Sequence, residues 1–358
     1  MKDKLLNFFI VATLSTCLMV RFLHWGELGK DFSTYRDAIR TFFEGGNPYA
    51  KTSDSFSDID DDSGFAYLPG ILYVYYPFYY LHNKFQIPFE YLYQIPILLA
   101  DLGIGLLLIK KFGGDNKLAC IFALLFWYLN PYFILKRNYF YLDPITIFFM
   151  FLAFDYLGNY NFESGLFYAI SVSLKTFPII LFPLFFIRSK NKITFTFFFA
   201  LTLLLLGAPF LNDIQQYIQS TLLVYGDRYV QGKPFLFLIS YLYNLEFIKL
   251  IPFKFYALAS VASGWAYILI NQYYAKRKRG CGLHYLPALI PFGLFYLFTP
   301  VLNKTYLLWG IPFLLLASYE AFNKKKVFFY LTTIMFYSFY LWYLYNWNYG
   351  LHVDYKYY

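Results

Sequence analysis

Residues 5–25 read LLNFFIVATLSTCLMVRFLHW, an apolar run long enough to cross a lipid bilayer as one helix. The run lacks the small-residue cleavage site of a signal peptide, so we expect the helix to be retained. Similar runs recur through the 358 residues, of which 59% are hydrophobic and 14% charged, whereas soluble domains carry about 25% charged residues. The composition therefore predicts an all-α polytopic membrane protein with a single transmembrane domain over residues 1–358.

The apolar segments predict about eleven transmembrane helices, several of them short or broken by proline. They are residues 5–25, 91–109, 118–135, 144–157, 163–174, 177–187, 193–210, 252–274, 284–300, 306–319 and 327–345. The oily segment 67–83 is left out of this count because Pro69 and Pro77 interrupt it. Counting it would also place Lys110 and Lys111 on the opposite side of the membrane.

The excess of basic over acidic residues falls on one side of this arrangement, which accounts for the net charge of +9. That side receives Lys2, Lys4, Lys110, Lys111, Lys117, Arg188, Lys190, Lys192, Lys276, Arg277, Lys278, Arg279, Lys324, Lys325 and Lys326. Short loops rich in Lys and Arg are cytoplasmic, so we expect the N-terminus in the cytoplasm. Loops 26–90 and 211–251 are then external or lumenal. Because this rule explains the positive charge, we expect no nucleic-acid partner.

The first long loop carries carboxylates directly after an apolar segment, in the stretch DFSTYRD of residues 31–37. A carboxylate held against an apolar scaffold can be tuned as a proton acceptor. Asp31 and Asp37 would lie on different faces of a helix, and Asp31, nearer the first span, is the candidate general base. Asp37 pairs with Arg36 or Arg40, or caps a helix. Capping and solubility remain the alternative for both carboxylates.

Several basic residues near helix ends on the external side are candidate ligands for an anionic group. They are Lys136, Arg137, Lys175 and Lys304, with Asp143 close to the first two. Basic residues are rare on the external side of membrane proteins, so their presence there favours a specific role. Snorkelling of the lysine side chains to the membrane surface is the alternative. Such cations would hold a phosphate and stabilise the charge that develops as its ester bond breaks.

No cofactor is predicted with certainty. The acidic residues Asp58, Asp60, Asp61 and Asp62 are expected to form a solvated part of the first loop, and a divalent metal site there is the alternative. Of the three cysteines, Cys17 and Cys120 lie inside apolar segments and Cys281 lies beside a basic cluster, so we expect neither a disulfide framework nor a zinc site.

Several short motifs together resemble the GT-C superfamily of glycosyltransferases, which use polyprenyl-phosphate sugars. They are the acidic stretch Asp31 to Ala38, Glu44-Gly-Gly-Asn47-Pro48-Tyr49, Phe65-Ala-Tyr67-Leu-Pro69, Trp127-Tyr-Leu-Asn130-Pro131, Leu174-Lys175-Thr-Phe-Pro178 and Asn303-Lys304-Thr305-Tyr306-Leu-Leu-Trp309. The chain looks most similar to the transferase that adds the first mannose to glycosylphosphatidylinositol, and to related bacterial and archaeal mannosyltransferases. Together the motifs span most of the chain, though each is short.

The resemblance implies interfacial helices at residues 34–44 and 67–83 and a catalytic base at Asp31. It also implies supporting roles for Arg36, Asp37, Asn47, Tyr49 and Tyr67, and a donor phosphate held by Lys175, Arg137, Lys304 and Lys136. Phe32 and Ser33 follow Asp31 where eukaryotic members show Asp-x-Asp, which weakens the case for a metal between two carboxylates.

The implied donor is a polyprenyl- or dolichyl-phosphate sugar, with mannose expected, and the implied acceptor is a glycolipid or glycan hydroxyl. We expect a prokaryotic cell membrane in preference to the endoplasmic reticulum. The alternatives are a transporter or flippase of lipid-linked saccharides and a non-catalytic subunit of a membrane glycosylation complex. A transporter would show internal repeats and charges near mid-membrane, whereas here Asp101 is the residue expected to lie deep.

Overall fold

The structure is a computed structural model that describes residues 2–26, 31–50, 64–114, 116–136, 141–226, 231–243, 245, 248, 251–277, 284–322 and 326–349. The α-helices in this part of the chain are α1 (Lys2–Leu23), α2 (Phe32–Phe43), α3 (Gly70–Phe85), α4 (Phe89–Phe112), α5 (Lys117–Tyr128), α6 (Pro131–Lys136), α7 (Asp143–Tyr156), α8 (Asn161–Leu174), α9 (Phe182–Arg188), α10 (Lys192–Gly207), α11 (Ile214–Thr221), α12 (Phe235–Tyr243), α13 (Phe253–Arg277), α14 (Leu286–Phe298), α15 (Ile311–Ala321) and α16 (Lys326–Tyr349). Short 3₁₀ turns cover Phe177–Leu181, Ala208–Asp213, Leu223–Gly226 and Tyr306–Leu308. The two-residue strands β1 (Gln231–Gly232) and β2 (Val301–Leu302) pair in parallel.

The predicted helical class is confirmed, and the long apolar helices are compatible with a membrane protein. Among the described residues, four helical stretches are long and apolar enough to cross a bilayer: Asp3–Leu23, Phe89–Phe112, Lys192–Thr221 and Lys326–Asn346. Shorter apolar stretches are Lys117–Tyr128, Phe177–Arg188, Leu286–Phe298 and Tyr306–Ala321. The count of about eleven spans, the side of each loop and the type of membrane stay predictions.

Polar contacts gather many helix ends at what we call the basic end of the bundle. There Lys117 at the start of α5 binds Asp3 at the start of α1 (3.1 Å). Lys110 and Lys111 at the end of α4 both lie 2.6 Å from Asp155 at the end of α7. The start of α1 and the basic residues at 110–117 therefore lie at one end of the bundle.

The opposite end of the bundle, which we call the site end, lies at the other end of α7. Asp143 begins this helix and Asp155 lies near its last turn, so about 18 Å of helix separates them. Lys175, which follows the last residue of α8, contacts Asp143. Asp143 and Asp155 thus lie at opposite ends of α7.

Helix α2 shows why the first long loop folds onto the bundle. Its apolar side chains recur at helical spacing and bury Phe32, Tyr35, Ala38 and Ile39, while the charged residues lie on the other face. The buried face joins a core with α3 and α4, in which the rings of Tyr75 and Tyr93 stack at 4.6 Å. The two helices expected at 34–44 and 67–83 are thus present as α2 and α3, and their location at a membrane interface stays a prediction.

Candidate functional site

A cavity of about 270 Å³ lies at the site end, against α13 and the 3₁₀ turns that precede α9 and α15. Its polar wall contains Tyr67, Lys175, Tyr306 and Trp309. The rest of the lining is largely apolar and includes Val261 of α13 and Phe295 of α14. Lys175 is the charged side chain among the residues that line the cavity. The cavity therefore combines one cation with aromatic faces and an apolar wall.

Lys175 forms an ion pair with Asp143, whose carboxylate is the counter-charge of the ammonium. The ammonium nitrogen lies 3.0 Å from both carboxylate oxygens, and Asp143 is only 1% exposed. The indole N–H of Trp309 donates to one of the same oxygens. An ammonium has three N–H donors, so two directed at Asp143 leave one for a ligand in the cavity.

Two opposing effects act on the charge of Lys175. Burial lowers the pKa of Lys175, but the Asp143 carboxylate, assisted by Tyr67 and Tyr306, outweighs it and leaves the pKa above the ordinary lysine value. Lys175 also lies 5.9 Å from the ring centre of Tyr67 and 6.0 Å from that of Trp309, within range of cation–π attraction. The side chain is therefore an ammonium at every physiological pH.

Trp309 is fixed between two aromatic rings. The ring of Phe177 stacks on it at 3.7 Å with an interplanar angle of 5°, and the ring of Tyr306 lies on it at 3.9 Å with an angle of 28°. Neighbouring rings on both faces leave the indole little room to rotate. Its N–H therefore points steadily at Asp143.

Tyr67 and Tyr49, both predicted as supporting residues, lie in and behind the cavity wall. Tyr67 lines the cavity, and the Tyr49 hydroxyl donates to its backbone carbonyl at 2.9 Å. Tyr49 has no exposed surface, because the rings of Phe65, Phe210 and Tyr217 surround it. Tyr49 thus acts on the cavity through the backbone of Tyr67.

Asn47, another predicted supporting residue, joins the two long loops. Its side-chain oxygen accepts from the backbone N–H of Tyr49 at 3.0 Å. Its amide nitrogen donates to Gln216 of α11 at 3.1 Å and, more weakly, to Asp213 at 3.3 Å. Gln216 in turn donates to the carbonyl of Ala50 at 3.1 Å. Asn47 therefore has a structural place, away from the cavity lining.

Asp31, the predicted general base, is exposed immediately before α2 and makes no side-chain cap hydrogen bond. It is not among the residues that line the cavity. The ring centres of Tyr35 and Tyr67 are 5.6 Å apart. Burial raises the pKa of Tyr35, and the nearby Tyr67, Tyr93 and Asp31 add to the rise. Tyr35 and Tyr67 therefore connect the surroundings of Asp31 with the polar wall of the cavity.

Arg36 and Asp37 lie on the outer face of α2 in a half-exposed network of charges. Asp37 pairs with Arg40 at 3.3 Å and with Arg36 at 3.7 Å, as expected for a structural carboxylate. Arg36 also approaches Glu90 of α4 at 3.9 Å. Exposed pairs of this kind stabilise a protein by at most about 1 kcal/mol. This network holds the outer edge of α2 beside α4.

The remaining predicted cations are less fully described. Arg137, the side chain of Lys136 and the acidic residues 58–62 lie outside the described residues. Lys304 is half-buried next to β2, and its backbone carbonyl accepts from the hydroxyl of Tyr340. Its side chain is not among the residues that line the cavity. Within the described ranges, no group of three or more His, Cys, Asp or Glu residues is placed to hold a metal ion.

Asp101 is buried within the protein, in a second ion pair, and its depth in a membrane stays a prediction. Its carboxylate is 3.5 Å from Arg21 of α1 and accepts from the Trp127 indole N–H at 3.0 Å. The Arg21 guanidinium lies 4.3 Å from the ring centre of Phe133. Tyr128 donates to the Asp101 carbonyl at 2.7 Å. This cluster links α1, α4 and α5.

Asp143 and Trp309 were not assigned a role from the sequence. Asp143 stands next to the helix-starting Pro144, which suggests only a first-turn acid. Trp309 ends the motif Asn303 to Trp309, in which only Lys304 was predicted to have a role. A buried lysine needs a counter-charge, and this requirement could have indicated that an acidic residue such as Asp143 pairs with Lys175.

Comparison of the chain with protein-family models and with curated proteins finds no match.

Proposed function

We propose that this protein is an integral membrane glycosyltransferase. It moves a hexose, with mannose the favoured sugar, from a polyprenyl-phosphate donor to a hydroxyl of a glycolipid or glycan acceptor. The transfer inverts the configuration of the anomeric carbon. The proposal rests mainly on the Lys175 ammonium in the polar wall of an otherwise apolar and aromatic cavity. A phosphate that carries both a sugar and an isoprenoid chain matches this combination of one cation and apolar surface.

In this proposal the donor phosphate receives the third N–H of Lys175. The apolar wall formed by Val261 and Phe295 takes the first isoprene units, since burial of apolar surface favours binding by about 25 cal/mol per Å². The aromatic faces of Tyr67 and Tyr306 are suited to the apolar face of a sugar ring. Each part of the donor thus has a wall of matching chemistry.

The transfer step forms one bond and breaks one bond. The acceptor oxygen attacks the anomeric carbon, the bond from that carbon to the phosphate oxygen breaks, and the electron pair leaves with the phosphate. The acceptor proton passes to the carboxylate of Asp31. Lys175 stabilises the second negative charge that develops on the departing phosphate. Asp31 lies near Tyr35, and Tyr35 lies against Tyr67 of the cavity wall, which supports Asp31 as the group that receives the proton.

The deciding experiment is transfer from a synthetic mannosyl phosphoryl isoprenoid by the purified protein, with Asp31→Asn and Asp37→Asn compared. Loss of a general base costs about 10² to 10⁴-fold in rate, so we expect that loss for Asp31→Asn and near wild-type transfer for Asp37→Asn. Wild-type rates with Asp31→Asn would refute the assignment of the base. Absence of transfer by the wild type with any hexosyl donor would refute the transferase.

The site end faces the outside of the cell membrane in this proposal. Glu44 is exposed at the end of α2, so Glu44→Cys in a Cys281→Ser background provides a single accessible thiol. A membrane-impermeant maleimide should label it in intact cells. Labelling that requires permeabilised cells would place the loop inside and exclude the proposed orientation.

A transporter of lipid-linked saccharides is the second candidate. The observation that favours it is the buried pair of Arg21 and Asp101, which lies near the middle of α4. Reconstituted vesicles distinguish the two candidates. A transporter would move a labelled lipid-linked saccharide across the vesicle membrane without changing it, whereas the proposed enzyme would convert it.

A further inference from the structure

We infer that Asp143 is a positioning residue, which holds the Lys175 ammonium in the cavity wall and is itself held by Trp309. The inference deepens the proposed function and rests on it for the identity of the ligand. Asp143 does not line the cavity, so it acts on a bound donor through Lys175.

The geometry of the contact fixes the direction of the lysine. Both carboxylate oxygens of Asp143 lie 3.0 Å from the ammonium nitrogen, and two contacts restrict rotation of the ammonium more than one contact would. The backbone of Lys175 is extended after α8, which lets its side chain reach from the end of one helix to the first residue of α7. The remaining N–H is left for a ligand in the cavity.

Several contacts fix the position of Asp143. Pro144 follows it in the first turn of α7, where proline suits a helix start. The indole N–H of Trp309 donates to it, and the rings of Phe177 and Tyr306 hold that indole on both faces. The carboxylate is therefore placed by the fold before any ligand arrives.

The charge of Lys175 depends on this carboxylate. The groups that face the ammonium are Asp143 from α7, Tyr67 from the segment before α3, and Tyr306 and Trp309 from the segment before α15. Asp143 is the carboxylate among them. Burial without a carboxylate disfavours a charged lysine, by up to several pKa units in other proteins. Removal of the Asp143 carboxylate should therefore lower the pKa of Lys175, so that the side chain loses its proton at a lower pH than in the wild type.

The first test measures transfer and the reactivity of Lys175 as functions of pH in Asp143→Asn. We expect the midpoint of Lys175 acetylation by acetic anhydride, followed by peptide mass spectrometry, to fall by about two pH units or more. The pH above which transfer activity is lost should fall by a similar amount. A second change, Lys175→Arg, should remove this alkaline loss, since a guanidinium stays charged. An unchanged acetylation midpoint in Asp143→Asn would overturn the inference.

A matched control lies on the same helix. Asp155 is also nearly buried and also pairs with lysines, but at the basic end. Asp155→Asn should leave the pH profile of transfer and the acetylation of Lys175 unchanged. A shift as large as that of Asp143→Asn would show that any lost acid in α7 has this effect, and would also overturn the inference.

The second test compares Lys175→Met with the double variant Lys175→Met, Asp143→Asn. A residue that acts only through Lys175 has no effect once Lys175 is gone, so we expect the two donor kcat/KM values to agree within about two-fold. A further ten-fold loss in the double variant would refute the positioning role. The double variant buries no unpaired charge, so this comparison still tests the positioning role if Asp143→Asn does not fold.

The two proposals can fail separately. Acetylation reports the proton on Lys175 in the protein without any donor. If the wild type transfers no sugar, the proposed function fails, yet the acetylation midpoints of the wild type and Asp143→Asn still decide whether Asp143 controls Lys175. If transfer occurs and the midpoints agree, only the positioning role fails.

Discussion

The hydroxyl of Tyr49 donates to the backbone carbonyl of Tyr67 at 2.9 Å, and no surface of Tyr49 is exposed. Tyr67 is the one of the two that lines the cavity and faces Lys175. Because the contact is to backbone, it fixes the position of Tyr67 whatever the tyrosine ring does. A residue outside the cavity thus determines part of its wall.

Tyr49→Phe should therefore alter donor binding more than chemistry. The change removes one hydrogen bond, worth about 1 kcal/mol net, and frees the Tyr67 carbonyl. We expect a modest fall in thermal stability and a several-fold rise in the donor KM at nearly constant kcat. Tyr80→Phe is the control, since Tyr80 is exposed on α3. A fall in stability with no change in KM would show that Tyr67 does not need this bond.

Some of these elements could be predicted. The resemblance implied helices at residues 34–44 and 67–83, and α2 and α3 lie within a few residues of those bounds. Lys175 was predicted because a cation at a proline-broken junction is conspicuous in the sequence, and it lies in the cavity wall.

The partners of Lys175 depend on tertiary packing and could not be predicted in this way. Asp143 precedes Lys175 by 32 residues, and Trp309 lies 166 residues from Asp143 along the chain. The same holds for Tyr49, whose acceptor is a backbone carbonyl and leaves no trace in the side-chain pattern. Asp31 was chosen by its position along the chain, and its nearness to Tyr35 became visible only in three dimensions.

Gly70→Ala should disturb the site through the backbone. A Cβ at Gly70 would lie 2.8 Å from the carbonyl carbon of Ser173 and 2.9 Å from the nitrogen of Leu174, so α3 must move away from the end of α8. Lys175 follows immediately. We expect lower thermal stability together with a raised donor KM.

Gly293→Ala provides the matched control for this prediction. No atom lies within 4 Å of a Cβ built there, and the residue is inside α14. Alanine in a helix interior is favoured over glycine by about 1 kcal/mol, so this variant should be as stable as the wild type or more stable. If Gly70→Ala behaved like Gly293→Ala, the close contact between α3 and α8 would not matter for the site.

Asn47→Ala should loosen the second long loop from the first. It removes the amide that donates to Gln216 of α11 and to Asp213 just before that helix, and it removes the acceptor for the Tyr49 N–H. We expect faster hydrogen exchange across residues 214–221, with a smaller effect on transfer than that of Tyr49→Phe. Asn83→Ala, at an exposed position in α3, should leave the exchange unchanged. Unchanged exchange in Asn47→Ala would mean that the aromatic contacts of Tyr217 alone hold α11.

Asp101→Asn should destabilise the protein without affecting donor affinity. The change leaves the Arg21 guanidinium buried beside an uncharged amide, and loss of one partner of a buried pair costs about 3–5 kcal/mol. Asp3→Asn, which breaks the exposed pair with Lys117, should cost less than about 1 kcal/mol. Thermal unfolding in detergent measures both.

The double variant Arg21→Met, Asp101→Leu then separates a structural pair from a functional one. Apolar replacements of a buried pair are often neutral or stabilising, because the cost of desolvating two charges disappears. We expect the double variant to regain most of the stability that Asp101→Asn loses, and to transfer sugar within a few-fold of the wild-type rate. A stable double variant that had lost its activity would show that the charges in the middle of α4 do more than hold α1, which is the behaviour expected of a transporter.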